Sequence, residues 1–200
     1  MIRCLLFCCF LGSSFLYGQG LDGGLHLGGN ATQVDGDQSA GFNQAGLSLG
    51  GFVEYDLTET SSFGVEILYE QLGSARQGVL ILRNHQFSLP LLFRYHLPIE
   101  LGQETHTITL MAGASPGYLF SARSEFGDVT DLLQRFDLRA VAGVEYQFSD
   151  SFSMLMRYGY SVLSFLDTSA PLSSNLLGPG KIGLAHNYIT LATRFWLIQR

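Results

Sequence analysis

The stretch FSMLMRYGYSVL, residues 152–163, sets one arginine in the middle of an apolar run. A buried cation is costly unless it is paired, so Arg157 must face something other than the surroundings of its neighbours. A period of two resolves the conflict. Phe152, Met154, Met156, Tyr158, Tyr160 and Val162 occupy the even positions, while Ser153, Arg157, Gly159 and Ser161 occupy the odd ones, with Leu155 outside the pattern. Such alternation puts the two sets on opposite faces of a β-strand.

The same split recurs along the chain. Leu138, Ala140, Ala142, Val144, Tyr146 and Phe148 oppose Asp137, Arg139, Gly143, Glu145 and Gln147. Phe87, Leu89, Leu91, Phe93 and Tyr95 oppose Gln86, Ser88, Arg94 and His96, and Ile189, Leu191, Phe195 and Leu197 oppose Tyr188, Thr190 and Arg194. Further segments set Val53 and Tyr55 against Glu54, Val65 and Ile67 against Glu66 and Glu70, Leu110 against Thr109, and Leu25 and Leu27 against His26. The total is about eight strands of roughly ten residues, the length that crosses a bilayer when tilted.

The N-terminus reads differently. In MIRCLLFCCFLGSSFLYGQG one cation, Arg3, precedes an apolar stretch, and Gly18 and Gly20 follow with small-x-small spacing. Residues 1–20 therefore read as a cleavable signal peptide and residues 21–200 as one barrel domain. All three cysteines, Cys4, Cys8 and Cys9, lie in the leader, so the mature chain has no disulfide or cysteine-based metal site. The formal charge of −6 becomes −7 once Arg3 is removed, which argues against nucleic acid as a partner. Hydrophobic content is 46% and charged content 14%, the latter below the soluble average of about 25%. No mature segment approaches the roughly 18 apolar residues of a spanning helix.

Connections alternate in length. TETSS at 58–62, PIELGQETH at 98–106 and SDS at 149–151 read as short links. The segments at 30–44, near SARQG, at 121–135 and at 166–186 read as long loops. Outer-membrane barrels alternate in this way, with tight periplasmic turns and longer extracellular loops. Aromatic residues gather at both strand ends, Tyr55, Phe63, Tyr95 and Trp196 near the short turns and Tyr69, Phe87, Tyr118 and Tyr188 near the loops. Two such belts fit two membrane interfaces. The fold expected is all-β: an eight-stranded antiparallel up-and-down transmembrane β-barrel in the bacterial outer membrane, both termini periplasmic.

With this parity Arg94, Arg139, Arg157 and Arg194 point inward together with Glu54, Glu66, Glu70, Glu145 and Asp137. An eight-stranded lumen is just wide enough to be filled by side chains, so these groups should pair into a closed polar plug. Gly113, Gly117, Gly143 and Gly159 are expected to make room for the arginines.

Chemistry-bearing motifs are sparse. No phosphate loop, metal-ligand spacing or dinucleotide fingerprint is present, so no cofactor is expected. The run DGD at 35–37 reads as a solvated turn because it lacks the rest of a calcium loop. His85 and His186, with Ser88, Ser121, Ser124 and Ser161, could form a rim Ser/His site of a lipid-modifying enzyme, although no fixed spacing ties a serine to a histidine. A soluble lipocalin-like periplasmic barrel with inverted faces would leave four arginines outside.

The segments AGLSLGGFVEYDLTETSSFGVEILYEQLG (45–73), FSLPLLFRYHL (87–97), AGASPGYLFSA (112–122) and AGVEYQFSDSFSMLMRYGYSVL (142–163) together resemble the PorT-like family of outer-membrane β-barrel proteins, akin in architecture to OmpA- and OmpX-type barrels. The resemblance implies an integral outer-membrane protein, and the weakness of the Ser/His signal makes the expected protein non-enzymatic. Expected partners are outer-membrane lipid, the barrel assembly machinery during insertion, and a protein or small molecule at the long loops. The C-terminus departs from the usual pattern, running RFWLIQR past its last aromatic pair.

Overall fold

The structure, a computed structural model, describes residues 21–36, 41–76, 79–101, 104–125, 127–164 and 184–198. The leader read at residues 1–20 and most of the 166–186 loop lie outside them. Among the described residues ten strands form: β1 (Leu21–Asp35), β2 (Gln44–Thr58), β3 (Ser61–Arg76), β4 (Val79–Ser88), β5 (Leu91–Leu101), β6 (Glu104–Ser124), β7 (Gly127–Asp128), β8 (Phe136–Ser149), β9 (Phe152–Ser161) and β10 (Ala185–Ile198).

All pairings are antiparallel and the sheet closes on itself. β1 pairs with both β2 and β10, from Leu21–Tyr55 at one end to Asp35–Ala185 at the other. β4 and β5 occupy one barrel position between β3 and β6, which gives a ring of eight. The break between them falls at Leu89–Pro90, because proline has no N–H to give to the ladder. The ladder is bridged there by Glu66 N–H to the Pro90 carbonyl (3.0 Å) and Leu89 N–H to the Pro116 carbonyl (2.9 Å). β7 is a short addition to β6 beyond the ring.

Several strands outrun the boundaries read from sequence. The segment at 98–106 is almost wholly strand, and the connection near SARQG narrows to residues 77–78 because β3 and β4 stay paired from Leu68–Ser88 out to Arg76–Val79. Polar composition there predicts loop, but backbone pairing continues past the apolar band wherever a neighbouring strand is in register.

The outer wall is apolar. Leu25, Ile67, Phe93, Leu110, Met156 and Leu191 are all exposed, whereas Arg139 and Arg194 are 0% exposed. That is the reverse of a soluble protein, and the inverted, lipocalin-like reading is overturned by it. Among the described residues no helix is long and apolar enough to cross a membrane.

Two aromatic assignments change. Trp196 and Tyr188 face inward, because each shares the parity of Arg194 on β10; Tyr188 is 1% exposed. The interior also holds more apolar residues than the alternation suggested. Leu155 packs inside with Leu92, Met111, Val141 and Ala192. At the loop end Val129 and Leu133, flanking a 3-10 turn at Thr130–Leu132, fold inward against Val34, Leu82, Leu119, Ala122 and Leu184. Val129 N–H donates to the Ala122 carbonyl (3.0 Å), and Ala122 N–H donates to Thr130 Oγ1 (2.8 Å). An apolar cluster thus fills the barrel mouth beside them.

Candidate functional site

The inward set forms a ladder of charge in three levels. Nearest the short turns, Arg94 and Arg194 alternate with Glu54 and Glu145 in a closed square. Glu54 Oε1 lies 2.9 Å from Arg94 Nε and 2.7 Å from Arg194 Nη2 as an ion pair with each. Glu145 Oε2 accepts from Arg94 Nη2 (2.7 Å) and Arg194 Nη1 (3.0 Å). Each carboxylate therefore bridges both cations. Ser153 donates to the second Glu145 oxygen (2.6 Å). Arg194 also stacks on Phe52, its guanidinium carbon 3.4 Å from the ring centroid, with Trp196 at 4.9 Å.

At the middle level Arg157 Nη2 donates to Glu66 Oε2 (2.8 Å), and the other Glu66 oxygen lies 4.0 Å from Arg194, which links the levels. His26 sits on the same inner wall, its Nε2 3.0 Å from Ser48 Oγ.

Toward the loops Arg139 donates to Glu70 Oε2 (2.8 Å), Ser115 Oγ (3.1 Å) and the Tyr188 hydroxyl (3.3 Å). Its Nε lies 3.6 Å from Asp137 Oδ2. Ser88 donates to the same Glu70 oxygen (2.6 Å). The nine charged groups sum to 4 − 5 = −1, and the fifth carboxylate, Asp137, meets His186 Nδ1 at 3.0 Å and accepts from Ser161 at 2.9 Å. All nine are 6% exposed or less. Desolvation on this scale is offset because each charge has at least one partner of opposite sign.

The expectation that glycines make room for arginine is met in part. A Cβ on Gly117 would lie 3.0 Å from Arg139 Nη2, while one on Gly143 would meet the Met156 carbonyl oxygen at 2.5 Å before Arg157 Cβ at 3.3 Å. Gly159, by contrast, accommodates the Tyr188 ring, and Gly113 accommodates the Leu91 carbonyl on the adjacent strand. Gly64, which sequence reasoning passed over, gives way to Arg94 Cδ at 3.2 Å. Phe52 was also missed, although its parity with Glu54 could have placed it inside.

Among the described residues the rim histidines meet an amide, a carboxylate and a phenol. His186 Nε2 is 2.8 Å from Asn84 Nδ2, and Ser161 lies on the Asp137 side of the imidazole. His85 is on the outer wall, its Nδ1 2.7 Å from the Tyr69 hydroxyl. Among the described residues no group of His, Cys, Asp or Glu is placed to hold a metal ion.

The family described as "Outer membrane protein beta-barrel domain" matches residues 17–167. The chain belongs to that family and is an integral outer-membrane β-barrel protein. Among solved structures, that of Ail, the attachment invasion locus protein of Yersinia pestis, is 14% identical over 90% of this chain and 99% of that one, with a TM-score of 0.51. Neisserial surface protein A is 12% identical over 88% of this chain and 97% of that one, with a TM-score of 0.49. At such identity the likeness to Ail concerns the fold. No curated protein matches the chain.

Proposed function

We propose that this family member is a closed, non-enzymatic barrel whose body anchors a binding surface at its loop end, with both termini in the periplasm. The observation that carries the reading is the filled interior. Three levels of ion pairs and an apolar layer across the mouth leave the lumen occupied by protein, which suits a platform better than a pore. The loop end is the more elaborate one, with β7 and the Thr130–Leu132 turn, whereas the opposite end closes β2 to β3 over Glu59 and Thr60 alone. The finer PorT-like affiliation is supported by the segments at 45–73 and 142–163, and a signal peptide at 1–20 by its apolar stretch and small residues.

The absence of cysteine after residue 9 makes the orientation testable. A Phe42→Cys or Asp131→Cys variant at the loop end should react with a membrane-impermeant maleimide on intact cells, and an Asp150→Cys variant at a short turn should not. Labelling of Asp150→Cys alone would reverse the orientation. Purified protein in planar bilayers should give no stable conductance; steady channels of sizeable conductance would refute the closed lumen.

A further inference from the structure

On the outer wall near the loop end, β4 and β6 place Arg83 directly opposite Arg123. Both turn away from the lumen, since Leu82 and Asn84 on either side of Arg83, and Ala122 and Ser124 on either side of Arg123, are buried. Like charges directly opposite, with Cβ atoms about 4.5–5.5 Å apart, destabilise a strand pair. Among the described residues neither guanidinium has an ion pair or hydrogen bond, and the Nε of Arg83 is shielded from solvent with no partner. The carboxylate facing Arg123 is Asp128 on β7, and it is already engaged by the N–H (2.9 Å) and hydroxyl of Thr130. Asp128 can offset one positive charge and leaves the other.

What lies beside this pair identifies its surroundings. One step toward the barrel middle is a cluster of outward rings. Phe87 stacks on Phe120 with centroids 5.0 Å apart, and Tyr69 and His85 each lie 6.2 Å from Phe120. Phe87 is 53% and Phe120 40% exposed. Exposed rings at a strand end sit at the headgroup level of a bilayer, and cations just beyond them meet anionic headgroups. Two adjacent guanidiniums present parallel N–H donors that suit the several oxygens of a phosphate.

We infer that Arg83 and Arg123 form a binding site for the phosphate of an anionic membrane lipid, whose acyl chains lie along Phe87 and Phe120. Lipid phosphate supplies the charge that the strand pair lacks, and the ring cluster explains why the ligand is a lipid and not a free anion.

The test uses the full mature chain in nanodiscs of phosphatidylcholine containing a minority of phosphatidic acid, with bound lipid counted by native mass spectrometry. Wild type should retain phosphatidic acid in preference to phosphatidylcholine. An R83Q/R123Q variant should retain roughly tenfold less, and R83K/R123K should retain most of it. Mobility on unheated gels reports folding, and the single Gln variants serve if the double fails to insert. The inference is overturned if wild type shows no preference, if R83Q/R123Q retains as much as wild type, or if excess inorganic phosphate strips the lipid completely. A nanodisc offers the probe in both leaflets, so the outcome does not depend on which way the barrel faces in the cell.

Discussion

The guanidinium of Arg194 rests on the face of Phe52, 3.4 Å from carbon to centroid, while its nitrogens reach Glu54 and Glu145. A cation held between a ring and two carboxylates gains charge pairing and dispersion together. The aromatic face replaces part of the hydration that burial removes.

Phe52→Leu removes that face and leaves the ion pairs in place. We expect a loss of about 2 kcal/mol, measured by urea unfolding in detergent micelles. Trp196, the chain's one tryptophan, packs edge-on to Phe52 at 4.8 Å, so its emission should shift in the same variant.

Arg157 and Glu66 form the pair best suited to a double-mutant cycle. Arg157→Met alone leaves a buried carboxylate with only the longer contact to Arg194 and should cost about 3–5 kcal/mol. Adding Glu66→Leu should restore part of that loss. Costs that simply added would show that the pair is not coupled.

The sidedness of the wall gives a depth-dependent prediction. Leu191 is exposed midway along β10, and Leu191→Arg should cost about 2–4 kcal/mol in folding into lipid vesicles. Leu57, equally outward but at the short-turn rim, should tolerate arginine at about 0–1 kcal/mol.

Outside the membrane band, the hydrogen bonds from Thr130 hold the Asp128 carboxyl below its ordinary range. A depressed carboxyl contributes order above its unfolded pKa and loses it as pH falls through the folded one. Hydrogen exchange of the Val129 and Thr130 amides should therefore quicken, relative to the β8–β9 ladder, only under acid below the usual carboxylate range of about 4. Quickening already near neutral pH would remove Asp128 as the fastener.

Much of the barrel was legible because a strand's side chains alternate whatever the strand is paired with. Arg157 inward and Met156 outward follow from adjacent positions in one segment. Leu155 and Phe52 were harder to place, since an apolar residue at an inward position looks like a lapse in the pattern until the lumen around it is seen. Tyr188 and Trp196 were drawn into the belts by their type and their position at a strand end, although β10 parity already pointed them inward. Strand ends were misjudged near residues 76 and 101 because pairing beyond the apolar band leaves no hydropathy signature.

The chain's own order thus determined the eight positions of the ring, the oily side and the list of charges turned away from it, all read from segments that follow the two-residue repeat. Only the closed ring decided which carboxylate meets which arginine. Arg157 finds Glu66 across 91 residues, Arg139 finds Glu70 across 69 and Arg94 finds Glu145 across 51. These meetings depend on the stagger of eight strands around a shared axis, and no local sequence encodes that stagger, because it is set by how every neighbouring pair slides into register when the sheet closes.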